Sequence, residues 1–96
     1  MKSLPPDVAP YKQTPEFTDA TVPAGLRRRH TTAAGVWGRI VVSTGSLRYR
    51  ILEPAVEELV LTPDRYGVVE PGVPHEVEPL GPVAFHVEFL RTPRKP

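Results

Sequence analysis

Apolar and polar residues alternate in two stretches of the chain, and this alternation predicts β-strands. In residues 46–52 one face is apolar and the other carries two arginines; the apolar positions are Leu47, Tyr49 and Ile51. Residues 83–90 repeat the pattern, with an apolar face formed by Phe85, Val87 and Phe89. Successive side chains of a strand point to opposite faces, so both runs predict a strand with one buried face.

Four more short runs have the apolar, β-branched character of strands: residues 36–42, 56–61, 67–70 and 75–80. The polar turn at 43–45 predicts that residues 36–42 and 46–52 form a hairpin. Thirteen prolines punctuate the chain and leave little room for a helix of three turns. We therefore expect an all-β fold, a sandwich or small barrel of short strands.

The segment from Gly67 to Glu78 contains the clearest candidate site. An apolar run ends at Glu70, and Pro71 with Gly72 then supplies the fixed and the permissive backbone angles of a tight turn. The turn places His75 at the start of the next strand. An imidazole held rigidly on a strand is suited to a metal centre or a small pocket.

Composition excludes several classes of function. The net charge of +1 is too small to indicate a nucleic-acid-binding protein. The absence of cysteine excludes disulfides, thiolate metal ligands and cysteine nucleophiles. No apolar run approaches the roughly 20 residues that span a bilayer, and no signal peptide is evident, so we expect a cytoplasmic protein without membrane contact.

The chain has three histidines, His30, His75 and His86, and they are the main candidates for chemistry. A first-row metal site would have to combine these imidazoles with carboxylates, of which Glu76, Glu78 and Glu88 are nearest. Each histidine alone is more simply explained as a surface or hydrogen-bonded residue. The three arginines at 27–29 could bind an anion beside His30, although strand-like exposure explains at least part of that run.

Two segments resemble the cupin superfamily. The stretch from Gly67 to His75 resembles the second cupin motif, and residues 38–47 resemble the end of the first. More narrowly, residues 29–42 together with the pattern from Glu70 to Glu78 are similar to a small cupin-like family of tellurite-resistance proteins (TehB N-terminal or YeaR-like). Members occur alone or fused ahead of a methyltransferase domain. The resemblance covers residues 10 to 91 and implies a single-domain cupin-type β-barrel, a jelly-roll-like double-stranded β-helix.

This resemblance implies a metal site built on His30, His75 and Glu78. His75 matches the histidine of the second motif, and His30 lies near the histidines of the first. The usual first-motif glutamate is replaced by Gly38, so the four-ligand cupin set is incomplete. Glu78 would complete a set of two histidines and one carboxylate for zinc, nickel, iron or manganese, although strand alternation points it away from His75. His86 is the alternative third ligand.

We expect residues 1–10 to form an extended proline-rich arm, residues 11–91 the barrel and residues 92–96 a basic tail. The expected function is binding of a divalent metal, a small molecule or an oxyanion inside the barrel. A metal-dependent enzyme of the oxygenase or hydrolase type is the first alternative. An oligomeric scaffold is the second. We also expect a homodimer, as is common among cupin-like sheets.

Overall fold

A computed structural model describes residues 1–93 as an all-β domain. Six strands are present: β1 (Ala9–Gln13), β2 (Phe17–Thr18), β3 (Trp37–Ile51), β4 (Glu57–Leu61), β5 (Gly67–Val69) and β6 (His75–Arg91). A short 3-10 helix, Ala24–Arg27, lies between β2 and β3. No helix in the described part of the chain is long and apolar enough to cross a membrane. The expected basic tail at 92–96 falls mostly outside the described residues.

Two long antiparallel strands, β3 and β6, organise the sheet. They pair along nearly their whole length, from Trp37 opposite Leu90 to Ile51 opposite His75. β4 and β5 pair with β3, whereas β1 and β2 pair with β6. Residues 9 and 10 of the expected arm therefore lie in a strand of this same chain.

The predicted hairpin at residues 43–45 is wrong, because these residues lie within the single strand β3. The register with β6 shifts between Val42 and Thr44 and again between Gly45 and Leu47. Buried positions are even-numbered before this point and odd-numbered after it. Two alternating runs out of phase across a glycine fit a bulged strand as well as a hairpin. β6 is continuous over the matching segment, where Gly81 has φ of +86°.

The bulges bend β3 and β6 so that the two halves of the sheet enclose one core. Tyr49, in the second half of β3, donates a hydrogen bond of 2.8 Å to the carbonyl of Val68 on β5, which pairs with the first half. The largest fully buried side chains come from both halves: Ile40, Leu47, Tyr49, Leu61, Val69 and Phe85. The predicted apolar faces of residues 46–52 and 83–90 are thus confirmed.

The hydrogen-bonded path does not close into a barrel. Within residues 1–93 it runs β1–β6–β3–β4, and its two end strands do not pair with each other. The all-β class is therefore confirmed, whereas the sheet of the described residues is not closed into the expected barrel and the cupin-type fold stays a prediction. The short strands β2 and β5 cover only parts of their neighbours, so the core is enclosed by the bend of the long strands and by loops.

The buried hydroxyl of Tyr49 gives a stability prediction. Tyr49→Phe leaves the carbonyl of Val68 without its partner, so we expect unfolding to become easier by about 1–3 kcal/mol. Urea denaturation measures this. Tyr66→Phe is the control, because Tyr66 is 48% exposed and should change little. Equal losses in both variants would show that the buried hydrogen bond is not the cause.

Candidate functional site

His30 and His75, the two histidines singled out by the sequence, are brought together by the fold. They form an isolated antiparallel bridge, in which each backbone N–H donates to the other's carbonyl at 2.8 and 2.9 Å. Their rings lie 5.3 Å apart between centroids and nearly perpendicular, in an edge-to-face arrangement. Through His30, the loop that follows the 3-10 helix thus pairs with β6 at His75, the first residue of that strand.

The predicted turn at Pro71 and Gly72 positions His75 as expected. Gly72 has φ of +71°, and the N–H of Val73 donates to the carbonyl of Glu70 at 3.3 Å. β6 then begins at His75. The Tyr49 ring packs edge-to-face on the His75 ring at 5.9 Å, so β3 supports the imidazole from the core side.

His75 is buried and electrically neutral near pH 7. Desolvation by burial lowers its pKa below 6.5, and the neighbouring His30 acts in the same direction, against a hydrogen bond to Val73. Its Nδ1 lies 3.2 Å from the carbonyl oxygen of Val73. A carbonyl oxygen only accepts, so Nδ1 carries the proton and Nε2 of the neutral ring is an acceptor.

His30 has a buried ring nitrogen without a partner. Nδ1 of His30 is the buried side-chain polar atom that finds no hydrogen bond within residues 1–93. Buried polar groups in folded proteins are nearly always paired with protein, water or ligand. This nitrogen is therefore a candidate contact for a water molecule or a ligand.

Both imidazoles line one cavity of about 280 Å³. The lining is largely apolar and includes Phe17, Leu26, Val69, Val77, Phe85 and Phe89. Thr14 and Thr32 are its other polar side chains, and their hydroxyls already donate to the carbonyls of Pro15 and Val36. The lining described contains no Asp, Glu, Lys or Arg. The protons of both hydroxyls are thus committed, and the two histidines are the remaining polar side chains of the described lining.

Glu78, the third predicted ligand, does not join the histidines. It is exposed on the opposite face of β6, where its carboxylate accepts a hydrogen bond from Arg48 at 3.1 Å. The register shift that could have redirected it comes later, between the pairs that include Pro79 and Val83. Within residues 1–93, no group of three or more His, Asp or Glu side chains is arranged to hold a metal ion.

His86, the alternative ligand, also lies on the outer face. Its Nε2 is 3.3 Å from the carboxylate of Glu88, which also accepts from Arg39 at 2.7 Å. Burial alone would raise the pKa of Glu88, but the hydrogen bonds from Arg39 and His86 outweigh it and lower the pKa. This cluster is an ionic pairing on the sheet surface.

The three arginines at 27–29 are exposed, and none lines the cavity. Arg29 pairs with Glu53. Arg27 instead borders an outer-face groove, beside a ladder of ion pairs that the sequence analysis did not predict: Arg48, Arg50, Glu58, Glu76 and Glu78. Opposite charges directly across strands could have revealed the ladder, but only with the strand register known.

Comparison with known proteins identifies the family. Residues 12–87 match the TehB-like domain family. The chain belongs to the TehB-like family. This confirms the narrower resemblance seen in the sequence, whereas the wider cupin assignment is not supported by the match.

The TehB-like domain is 35% identical over 74 residues to a protein of Haemophilus influenzae (strain Rd) named "Probable S-adenosyl-L-methionine-dependent methyltransferase TehB". The match covers 73% of this chain and 26% of that protein, so the domain spans about a quarter of its curated relatives' length.

The crystal structure of TehB from Haemophilus influenzae superposes with a TM-score of 0.83 at 28% identity, over 91% of this chain and 32% of that one. A protein from Escherichia coli strain K12 has the same fold, with a TM-score of 0.88 at 22% identity over 98% of this chain and all of its own.

Proposed function

We propose that this TehB-like domain is a binding module for a small, largely apolar molecule held in the cavity beside His30 and His75. The observation that carries the proposal is a cavity of about 280 Å³ whose largely apolar lining contains two histidines and two threonines whose hydroxyl protons are committed. Apolar pockets with few, convergent polar groups are typical of small-molecule sites.

A role in binding is favoured over catalysis by the chemistry of the lining. The described cavity has no carboxylate, lysine or arginine to act with the histidines as a general acid, base or nucleophile. The relatives' name supports a place beside methyl transfer, with this domain holding a molecule while the remainder of a longer TehB chain carries out chemistry.

Binding of single-ring aromatic compounds tests the proposal. An apolar cavity of 150 Å³ can accept benzene, so one of about 280 Å³ should accept a ring with one or two small substituents. We expect p-cresol or p-xylene to raise the melting temperature in proportion to the logarithm of its concentration. No shift up to the solubility limit of either compound, and no binding heat in calorimetry, would reject the proposed function.

A divalent metal is a second candidate, favoured by the two adjacent imidazoles. The ring centroids lie 5.3 Å apart, which brings both imidazoles near one position, and a zinc–imidazole bond measures roughly 2.0–2.1 Å. The predicted three-residue set is not assembled, however, because Glu78 lies on the other face. Any metal held here would need ligands from outside the described side chains.

Zinc titration of single variants tests whether zinc is held by the two histidines without Glu78 or by all three predicted ligands. If zinc binds, His30→Ala and His75→Ala should each weaken it by about tenfold or more, whereas Glu78→Gln should leave affinity within about twofold. Elemental analysis of chelator-washed protein accompanies the titration. Loss of zinc on Glu78→Gln would show that the outward position of this carboxylate does not persist in the metal-bound protein.

A further inference from the structure

We propose that the cavity selects a neutral hydroxyl compound, a small phenol or alcohol whose hydroxyl bridges His75 and His30. The inference rests on the proposed function and specifies the ligand class. The supporting observations are the hydrogen-bond partner of His75 Nδ1 and the lack of a partner for His30 Nδ1 within residues 1–93.

The acceptor is His75 Nε2. The Nδ1 proton is committed to the carbonyl of Val73 at 3.2 Å, and the neutral ring leaves a lone pair on Nε2. A molecule bound beside this nitrogen would satisfy it by supplying a donor. His75 is only 5% exposed, and this burial limits the access of bulk water to its ring.

The second partner is His30. Its Nδ1 is buried and has no hydrogen-bond partner within residues 1–93. An imidazole nitrogen donates when it carries a proton and accepts when it does not, so His30 can donate to an oxygen of the occupant or accept from it. A hydroxyl is the smallest group that both donates and accepts, and it can satisfy both rings at once.

Charge and shape argue against other classes of ligand. A carboxylate or phosphate offers only acceptors to His75 Nε2, and the described lining has no cation to balance its charge. Burial of an unpaired charge is strongly unfavourable. Three phenylalanines, Phe17, Phe85 and Phe89, line the same cavity and suit an aromatic ring through edge-to-face contacts.

Three probes of similar shape test the proposal: p-cresol, its methyl isostere p-xylene, and 4-methylbenzoate. By NMR titration at pH 7, we expect p-cresol to bind about tenfold more tightly than p-xylene, as one or two net hydrogen bonds would give. We expect 4-methylbenzoate to bind more weakly than both. His75→Phe, which keeps the ring volume but removes the acceptor, should abolish the preference for p-cresol.

The outcomes separate this inference from the proposed function. Equal affinity for p-cresol and p-xylene would overturn the hydroxyl inference and leave the apolar binding site standing. Tightest binding of 4-methylbenzoate would overturn it in favour of an anion site. Failure of every probe would reject both. Circular dichroism checks that His75→Phe is folded; if it is not, His30→Phe is the second variant, and an unchanged preference in the folded variant overturns the inference.

Discussion

Gly45→Ala is expected to destabilise the domain by at least about 3 kcal/mol, a large share of the roughly 5–15 kcal/mol of a typical domain. Gly45 has φ of +79°, which is unfavourable for any residue with a Cβ. A Cβ at this position would also lie 2.1 Å from the carbonyl oxygen of Pro82. The backbones of β3 and β6 would have to separate at the bend that encloses the core.

Gly81→Ala is the matched control for this prediction. Gly81 lies in the same bend, on β6, and has φ of +86°, but a Cβ there would meet no atom within 4 Å. Gly81→Ala should therefore lower the free energy of unfolding by only about 1 kcal/mol, through backbone strain alone. Chemical denaturation of both variants measures the difference. Similar losses of stability in the two variants would mean that the close approach of the strands at Gly45 does not determine the cost of a Cβ there.

Leu26→Trp is expected to reduce binding of single-ring probes by at least about tenfold. Leu26 lies in the 3-10 helix, lines the cavity and packs against the core from one side. A tryptophan adds volume that the cavity can accept, so we expect an affinity loss with a stability change of under about 2 kcal/mol. Calorimetry with p-cresol measures the affinity.

Leu80→Trp is the control for the cavity-filling variant. Leu80 is 37% exposed and does not line the cavity, so the same substitution should leave probe affinity within about twofold. Retention of full binding by Leu26→Trp, in a protein that unfolds cooperatively, would place the bound probe somewhere other than this cavity.

Strand faces and the turn before His75 could be predicted because they depend on local signals. Alternation placed Leu47 and Phe85 in the core, and Pro71 with Gly72 positioned the imidazole. The continuity of β3 could not be predicted, since a glycine between two runs fits a reversal or a bulge equally well. Only the long-range pairing with β6 decides between them.

The site was partly predictable for the same reason. His75 follows from its turn, but the place of His30 depends on a backbone bridge across 45 residues of chain. Glu78 fits a sequence pattern in which it follows His75 by three positions, and a spacing of three along a regular strand places two side chains on opposite faces. The cavity itself had no sequence signal, because its apolar lining residues are indistinguishable from ordinary core positions.

Methyl-detected NMR with p-cresol tests the central claim most directly. If the molecule occupies the cavity beside the two histidines, the methyl signals of Ile40, Val69 and Val77, which line it, should shift in a saturable way. Those of Val56 and Val60, which are exposed on the far edge, should not. Absence of saturable shifts, or shifts confined to the exposed methyl groups, would contradict a small-molecule site in this cavity.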